Sequence, residues 1–382
     1  MTLIASSAAP WASALPPFAA ACAVSLALVP VTKRLALAVG AVDQPDPDRR
    51  IHRQPTPRLG GIALFAGFTV ALLFFGGPVS DRWQVIAVSA VVTIAMAVDD
   101  ILHLPWWTKL LIEGGVGLFV AAAGITITFF ALPGESVHLI QLGWLAIPVT
   151  AVWVVGMQTS INLLDGSDGV AAGVVGIVAA ICLIAAINRV DEPGGIQNGV
   201  IVLSGALMGC CAGFLVFNFP PASVFMGDGG SHFLGVALAV ITVLGVAKVA
   251  VALSLFVPLI TLALPIGDTA FAIVRRRRAG RSMAQPDTEH IHHRLLARGM
   301  TPLETACTFY FATAILGCIS LWIFGHRRIV VVGVVLFAVA LVVLWWRHRK
   351  RIASYEVDAE GYLIIPGTRA TPARVRHRGE ID

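Results

Sequence analysis

Apolar residues run along this chain in long blocks, broken at wide intervals by short polar stretches. A helix that crosses a bilayer needs about 20 apolar residues. About eleven blocks meet that measure, with centres near Leu26, Phe68, Ala90, Leu118, Thr150, Val175, Leu207, Ala239, Thr261, Leu316 and Leu336. Prolines interrupt two of them: Pro148 in the block near Thr150, and Pro258 and Pro265 in the block near Thr261. Neighbouring helices can absorb such breaks. The pattern predicts an all-α, polytopic membrane protein, with residues 1–346 as the transmembrane domain and residues 347–382 as a basic, polar tail.

Composition narrows the class. The chain is 57% hydrophobic and 13% charged, with a mean hydropathy of +0.84. Soluble domains carry roughly 25% charged residues, so a secreted or cytosolic globule is excluded. The six cysteines all sit in apolar runs without metal-ligand spacing and read as small buried residues. No Lys or Arg precedes the first block, whereas a cleavable signal peptide would want a positive start. The first helix is therefore expected to be retained, with its N-terminus outside.

Charge placement gives the orientation. With the N-terminus outside and eleven alternating helices, 22 of the 27 Lys and Arg residues fall on the inside, the C-terminus among them. On that topology every polar cluster faces the cytoplasm. The first loop holds Asp43, Asp46, Asp48, His52 and Arg53, followed by Pro55-Thr-Pro-Arg-Leu-Gly-Gly61. Asp99 and Asp100 end the third helix, and Lys109 enters the fourth. Asn162-Leu-Leu-Asp-Gly-Ser-Asp-Gly169 follows the fifth, and Asn218 to Ser231 joins the seventh and eighth. The last cluster runs from Asp268 through Arg275–Arg278 to His290-Ile-His-His-Arg294. The basic run Arg347–Arg351 suits orientation and contact with anionic headgroups.

Carboxylates and amides at a membrane surface favour a hard cation with oxygen ligands, above all Mg²⁺, with Mn²⁺ as a substitute. Arg53, Arg58, Lys109, Arg294 and the histidines supply charge for phosphate. Gly227-Asp-Gly-Gly-Ser231 opens the eighth predicted helix, where free N–H groups suit a phosphate. The set points to cation-assisted chemistry on a phosphorylated substrate in a cytoplasm-facing cleft, with membrane lipids as neighbours and no nucleic-acid partner. The rival from another class is an ion-coupled transporter, whose acids should lie at the bilayer midplane. Here they lie at helix ends, with Asp268 the deepest.

Five of these segments, in order from Asp43 to Gly299, resemble the polyprenyl-phosphate N-acetylhexosamine-1-phosphate transferases: residues 55–61, 99–100, 162–169, 225–231 and 290–294. The His-Ile-His-His form is similar to the WecA-type branch, which uses UDP-N-acetylglucosamine. The phospho-MurNAc-pentapeptide branch usually has a Lys soon after the Asp pair, where this chain has His103. The resemblance implies a bacterial inner-membrane enzyme that moves a sugar-1-phosphate from a UDP-N-acetylhexosamine to a polyprenyl phosphate, and it makes a homodimer plausible. It implies Asp228 as the Mg²⁺ ligand with Asn162 as a second contact, Asp99 and Asp100 beside the lipid phosphate, and Asp165 and Asp168 near the nucleotide-sugar. It further implies Asn218 and Phe225 at the nucleoside, Arg53 and Lys109 as basic contacts, and His290, His292, His293 and Arg294 on phosphate or sugar. Direct attack and a two-step aspartyl route both remain open.

Overall fold

The computed structural model describes residues 10–43, 55–132, 138–187, 196–246 and 300–323, together with 274, 295, 331, 335, 338, 339, 342, 356–357 and 363–364. Nine α-helices occur among them: α1 (Leu15–Val39), α2 (Gly60–Phe75), α3 (Arg82–Leu102), α4 (Trp106–Ala122), α5 (Ala146–Leu164), α6 (Val170–Ile187), α7 (Ile196–Asn218), α8 (Gly227–Val246) and α9 (Pro302–Ile323). Each coincides with an expected apolar block. Seven are long and apolar enough to cross a membrane, and α2 is a shorter apolar helix. The block near Thr261 lies outside the described residues, as does that near Leu336 apart from isolated positions. The protein is therefore a mostly helical, polytopic membrane protein.

The chain divides into two compact units, Met1–Arg327 and Arg328–Asp382. In the second unit a two-stranded pairing of β5 (Glu356–Val357) with β6 (Leu363–Ile364) is described. The expected boundary at residues 346–347 lies within that unit, outside the described residues.

The first unit is built around α8, which packs on α2, α3, α5, α6 and α7 and is almost wholly buried. Apolar side chains face outward instead, such as Leu111 at 66% and Val152 at 72% exposure, while Asp99, Asp100, Glu113, Gln158 and His232 are buried. Water would penalise such an outer surface, and hydrocarbon does not.

Local sequence explains the helix limits. Pro148 does not interrupt α5; it sits in the first turn, where a missing N–H costs nothing. Thr301 and Glu304 close a reciprocal box at the start of α9, with the Thr301 N–H donating to Glu304 Oε2 (2.8 Å) and the Glu304 N–H to Thr301 Oγ1 (3.2 Å).

Short strands depart from the all-α expectation. The β-branched and aromatic run Ile125-Thr-Ile-Thr-Phe-Phe130 leads into β3 (Phe129–Leu132), which pairs antiparallel with β4 (His138–Gln141). At the other end, β1 (Val42–Asp43) pairs with β2 (Thr56–Pro57) and clamps the two ends of the first polar loop.

Candidate active site

Consecutive helices from α1 to α8 alternate in direction, so the polar segments meet at one end of the bundle. The ends of α3, α5 and α7 and the starts of α2, α4, α6 and α8 all lie there. At 16 residues α2 is only about 24 Å long, and its first residues, Gly60 and Gly61, are buried. Its first N–H groups donate to carbonyls of the segment before α8: Gly60 to Phe225 (3.0 Å) and Gly61 to Met226 (2.9 Å). The Phe225 N–H returns to the Pro57 carbonyl (2.8 Å). The two backbones touch at Gly61 and Gly230, where neither has room for a side chain.

The start of α8 does not offer its N–H groups to a phosphate. Asp100, from the end of α3, takes them: the Asp228 N–H donates to its Oδ1 (3.0 Å) and the Gly229 N–H to its Oδ2 (3.1 Å). A carboxylate at a helix N-terminus satisfies orphan donors and the positive end of the dipole together. Gly227 makes this possible. Its φ of +68° lies in the left-handed region that favours glycine, and a Cβ there would strike the Arg58 carbonyl and the Asp100 carboxylate.

Asp100 thus braces α8, and the side chain of Asp228 is left to other partners. Lys109 Nζ lies 2.7 Å from Asp228 Oδ2 and also pairs with Asp99 Oδ2. The turn between α3 and α4 brings them together: His103 adopts a left-handed φ of 53°, and the Leu104 N–H donates to Asp99 Oδ1 (2.7 Å). Arg58 lies 3.5 Å from Asp100 and 4.0 Å from Asp228. Asn162, on the last turn of α5, donates from Nδ2 to Asp228 Oδ1 (3.1 Å) and to Ser231 Oγ (3.0 Å). Asp165 caps the end of α5, half-buried and within range of the charges of Asp228, Arg58, Asp100 and Asp168. Desolvation and the neighbouring Asp228 carboxylate hold its carboxyl well above the usual carboxylate range.

Asp99, Asp100, Lys109, Asn162, Asp165 and Asp228 are thus brought together in the structure. Asp168 and Asn218 are placed differently. Asp168 is buried, and its Oδ2 accepts the Ala222 N–H (2.8 Å). Asn218 spends both ends of its amide on backbone: Oδ1 accepts from Gly169 (3.0 Å) and Nδ2 donates to Val224 (2.9 Å). Together with Tyr310 of α9, whose hydroxyl donates to the Gly169 carbonyl (2.7 Å), they fasten the α5–α6 loop. The geometry gives them a bracing part. Phe225 is half-buried beside the start of α2. Arg53, His290, His292, His293 and Arg294 lie outside the described residues.

Sequence reading missed a second polar layer. His232 Nε2 lies 2.9 Å from Glu113 Oε1, its Nδ1 lies 2.8 Å from the Asp228 carbonyl, and Thr159 donates to Glu113 Oε2 (3.1 Å). An ionisable residue inside an apolar helix was the available signal. Lone Glu113 and His232 did not stand out beside the denser motifs.

Among the described residues no three His, Cys, Asp or Glu side chains form a metal cage. A hard cation that keeps water and substrate phosphates needs only one or two protein oxygens. Asp228 with Asn162 fits that need, provided the Asn162 amide turns its oxygen inward.

The cluster of acids, cations and an amide thus sits at one end of a bundle of apolar helices. Residues 82–246 match the family described as Glycosyl transferase family 4. The chain is 37% identical over 286 residues, 75% of its length and 78% of the relative's, to a probable undecaprenyl-phosphate N-acetylglucosaminyl 1-phosphate transferase of Bacillus subtilis (strain 168). It is 32% identical over 334 residues, 81% of this chain and 82% of the other, to a decaprenyl-phosphate N-acetylglucosaminephosphotransferase of Mycolicibacterium smegmatis. A phospho-N-acetylmuramoyl-pentapeptide-transferase of Synechococcus sp. is 31% identical over 305 residues, 75% of this chain and 84% of that one. The chain belongs to the polyprenyl-phosphate N-acetylhexosamine-1-phosphate transferases of glycosyl transferase family 4.

Proposed function

We propose that this protein transfers N-acetylglucosamine-1-phosphate from UDP-N-acetylglucosamine to a polyprenyl phosphate at the cytoplasmic face of a bacterial inner membrane. The products are polyprenyl-diphosphate-N-acetylglucosamine and UMP. The observation that carries the reading is the grouping of Asp99, Asp228, Lys109, Arg58 and Asn162 at one end of an apolar bundle. The printed activities of the Bacillus and Mycolicibacterium relatives support the donor and acceptor. The inside excess of Lys and Arg supports the cytoplasmic side.

In this reading an oxygen of the polyprenyl phosphate attacks the β-phosphorus of the UDP-sugar. The bond from that phosphorus to the bridging oxygen breaks, and UMP leaves with the electron pair. The acceptor's second pKa is near 6, so it is largely ionised at pH 7 and needs no strong base. Lys109 and Arg58 hold phosphate oxygens, and Asp99 keeps the Lys109 ammonium in place. Three carboxylates, Asp99, Asp100 and Asp228, pair with two cations, Lys109 and Arg58, and this excess of negative charge supports a divalent cation at Asp228 and Asn162. Bound there, Mg²⁺ supplies charge stabilisation for the phosphate oxygens.

Purified protein given polyprenyl phosphate and labelled UDP-N-acetylglucosamine tests the reading. Mg²⁺-dependent label in the lipid phase, with UMP release and loss in EDTA, is the expected result. Transfer only from UDP-MurNAc-pentapeptide, run in parallel, would keep the reaction and change the donor. No transfer from any UDP-sugar would overturn the proposal.

A further inference from the structure

Three cluster residues each have a polar partner one helical turn deeper. Glu113 follows Lys109 by four residues on α4, His232 follows Asp228 by four on α8, and Thr159 precedes Asn162 by three on α5. Residues at those spacings lie on one helix face. The deeper three are joined to one another: Glu113 accepts from Thr159 through Oε2 (3.1 Å) and meets His232 through Oε1 (2.9 Å). Glu113 is 7% and His232 1% exposed. Nothing in the reading above uses them.

Proton accounting shows what the pair can do. A backbone carbonyl only accepts, so His232 Nδ1 carries a hydrogen toward the Asp228 carbonyl (2.8 Å). Nε2 then shares one further proton with Glu113, and wherever that proton sits the pair has no net charge. The pair is thus a neutral strut, affordable in hydrocarbon, that grips the peptide carbonyl of the residue whose carboxylate faces the cleft. Ser231 completes it, accepting from Asn162 (3.0 Å) and donating to the Asp228 carbonyl (3.3 Å).

We infer that Glu113 and His232 are positioning residues that fix Asp228 and Asn162 toward each other and so set the affinity of the cleft for a divalent cation. The inference rests on the proposed cation site. Groups that orient metal ligands typically change metal affinity by about 10–100-fold when lost, and an Asp228 free to rotate with its turn would lose the alignment with Asn162.

The test uses the full chain in detergent and Mn²⁺ as probe, titrated without substrate by the fall in the free-ion EPR signal. Removing one partner alone strands a buried polar group, so the main variant is the double E113L/H232L, which replaces the whole pair by apolar residues. Its Tm is expected to stay at or above the wild-type value. Its Mn²⁺ affinity should fall about tenfold or more, the Mg²⁺ concentration for half-maximal transfer should rise by a similar factor, and KM for the UDP-sugar should move little. If the double variant does not fold, Glu113→Gln and His232→Gln, which each keep one hydrogen bond, carry the same comparison. Wild-type Mn²⁺ affinity in folded variants, with binding lost in Asp228→Asn, overturns this inference alone. Mn²⁺ binding that survives Asp228→Asn overturns the cation site and the inference with it.

Discussion

The Lys109 ammonium stands 2.7 Å from the Asp228 carboxylate, reaching across 119 residues of sequence to join the start of α4 to the start of α8. It also pairs with Asp99, so a single cation holds acids from two other helices. Lys109→Met should lower transfer by about 100-fold or more, the usual scale for losing one group that stabilises developing charge. Lys109→Arg keeps the charge but not the compact head and should retain part of the rate. Initial rates of UMP release check both; an unimpaired Met variant would remove Lys109 from the site.

Asp99 and Asp100 are neighbours with different work. Asp100 satisfies two N–H groups at the start of α8 with a buried carboxylate. Asp100→Ala should therefore cost about 2 kcal/mol or more, given roughly 1–3 kcal/mol for each buried donor left unmade. Asp99→Asn keeps an acceptor for the Leu104 N–H and should leave Tm nearly unchanged while impairing transfer. Thermal unfolding of both variants, beside their activities, separates bracing from chemistry.

The contact of Gly61 with the Gly230 backbone is a packing prediction. Gly61→Ala inserts a methyl where the two chains already touch, and overpacking of this kind costs about 1–3 kcal/mol. It also pushes the Arg58 segment away from the start of α8. A lowered Tm with a lowered transfer rate is expected, and a neutral outcome in both would contradict the close approach.

Asp165 carries a pH signature. Its carboxyl is held above the unfolded value of about 3.9. A raised carboxyl contributes stability that is present below the unfolded pKa and is lost as pH rises through the folded pKa. In metal-free protein, Asp165→Asn should thus have a higher Tm than the parent at pH 7, with the difference closing toward pH 4. Parallel melting curves across that range decide it; a constant offset would mean that Asp165 is not held above its usual range.

Much of this architecture was readable in one dimension because hydrocarbon expels polar groups. Where acids, amides and glycines interrupt a chain this apolar, they must be helix ends or function, and the described polar segments do meet at one end of the bundle. Helix positions near Phe68, Ala90 or Leu207 follow from the same rule. What the one-dimensional pattern cannot carry is which oxygen points where. Asp168 and Asp228 look alike in sequence, each followed directly by glycine, yet one accepts a loop N–H and the other meets Lys109. Asn162 and Asn218 divide in the same way, between cleft and loop. The Glu113–His232 pair, also 119 residues apart, exists only because tertiary packing brings the two side chains within 2.9 Å. The length of the apolar blocks therefore determined the membrane class and the nine described helices, since transfer to lipid acts on each segment by itself. Hydrogen bonds between distant segments decided which candidates gather around Asp228 and which fasten loops, since those bonds depend on contacts that only packing creates.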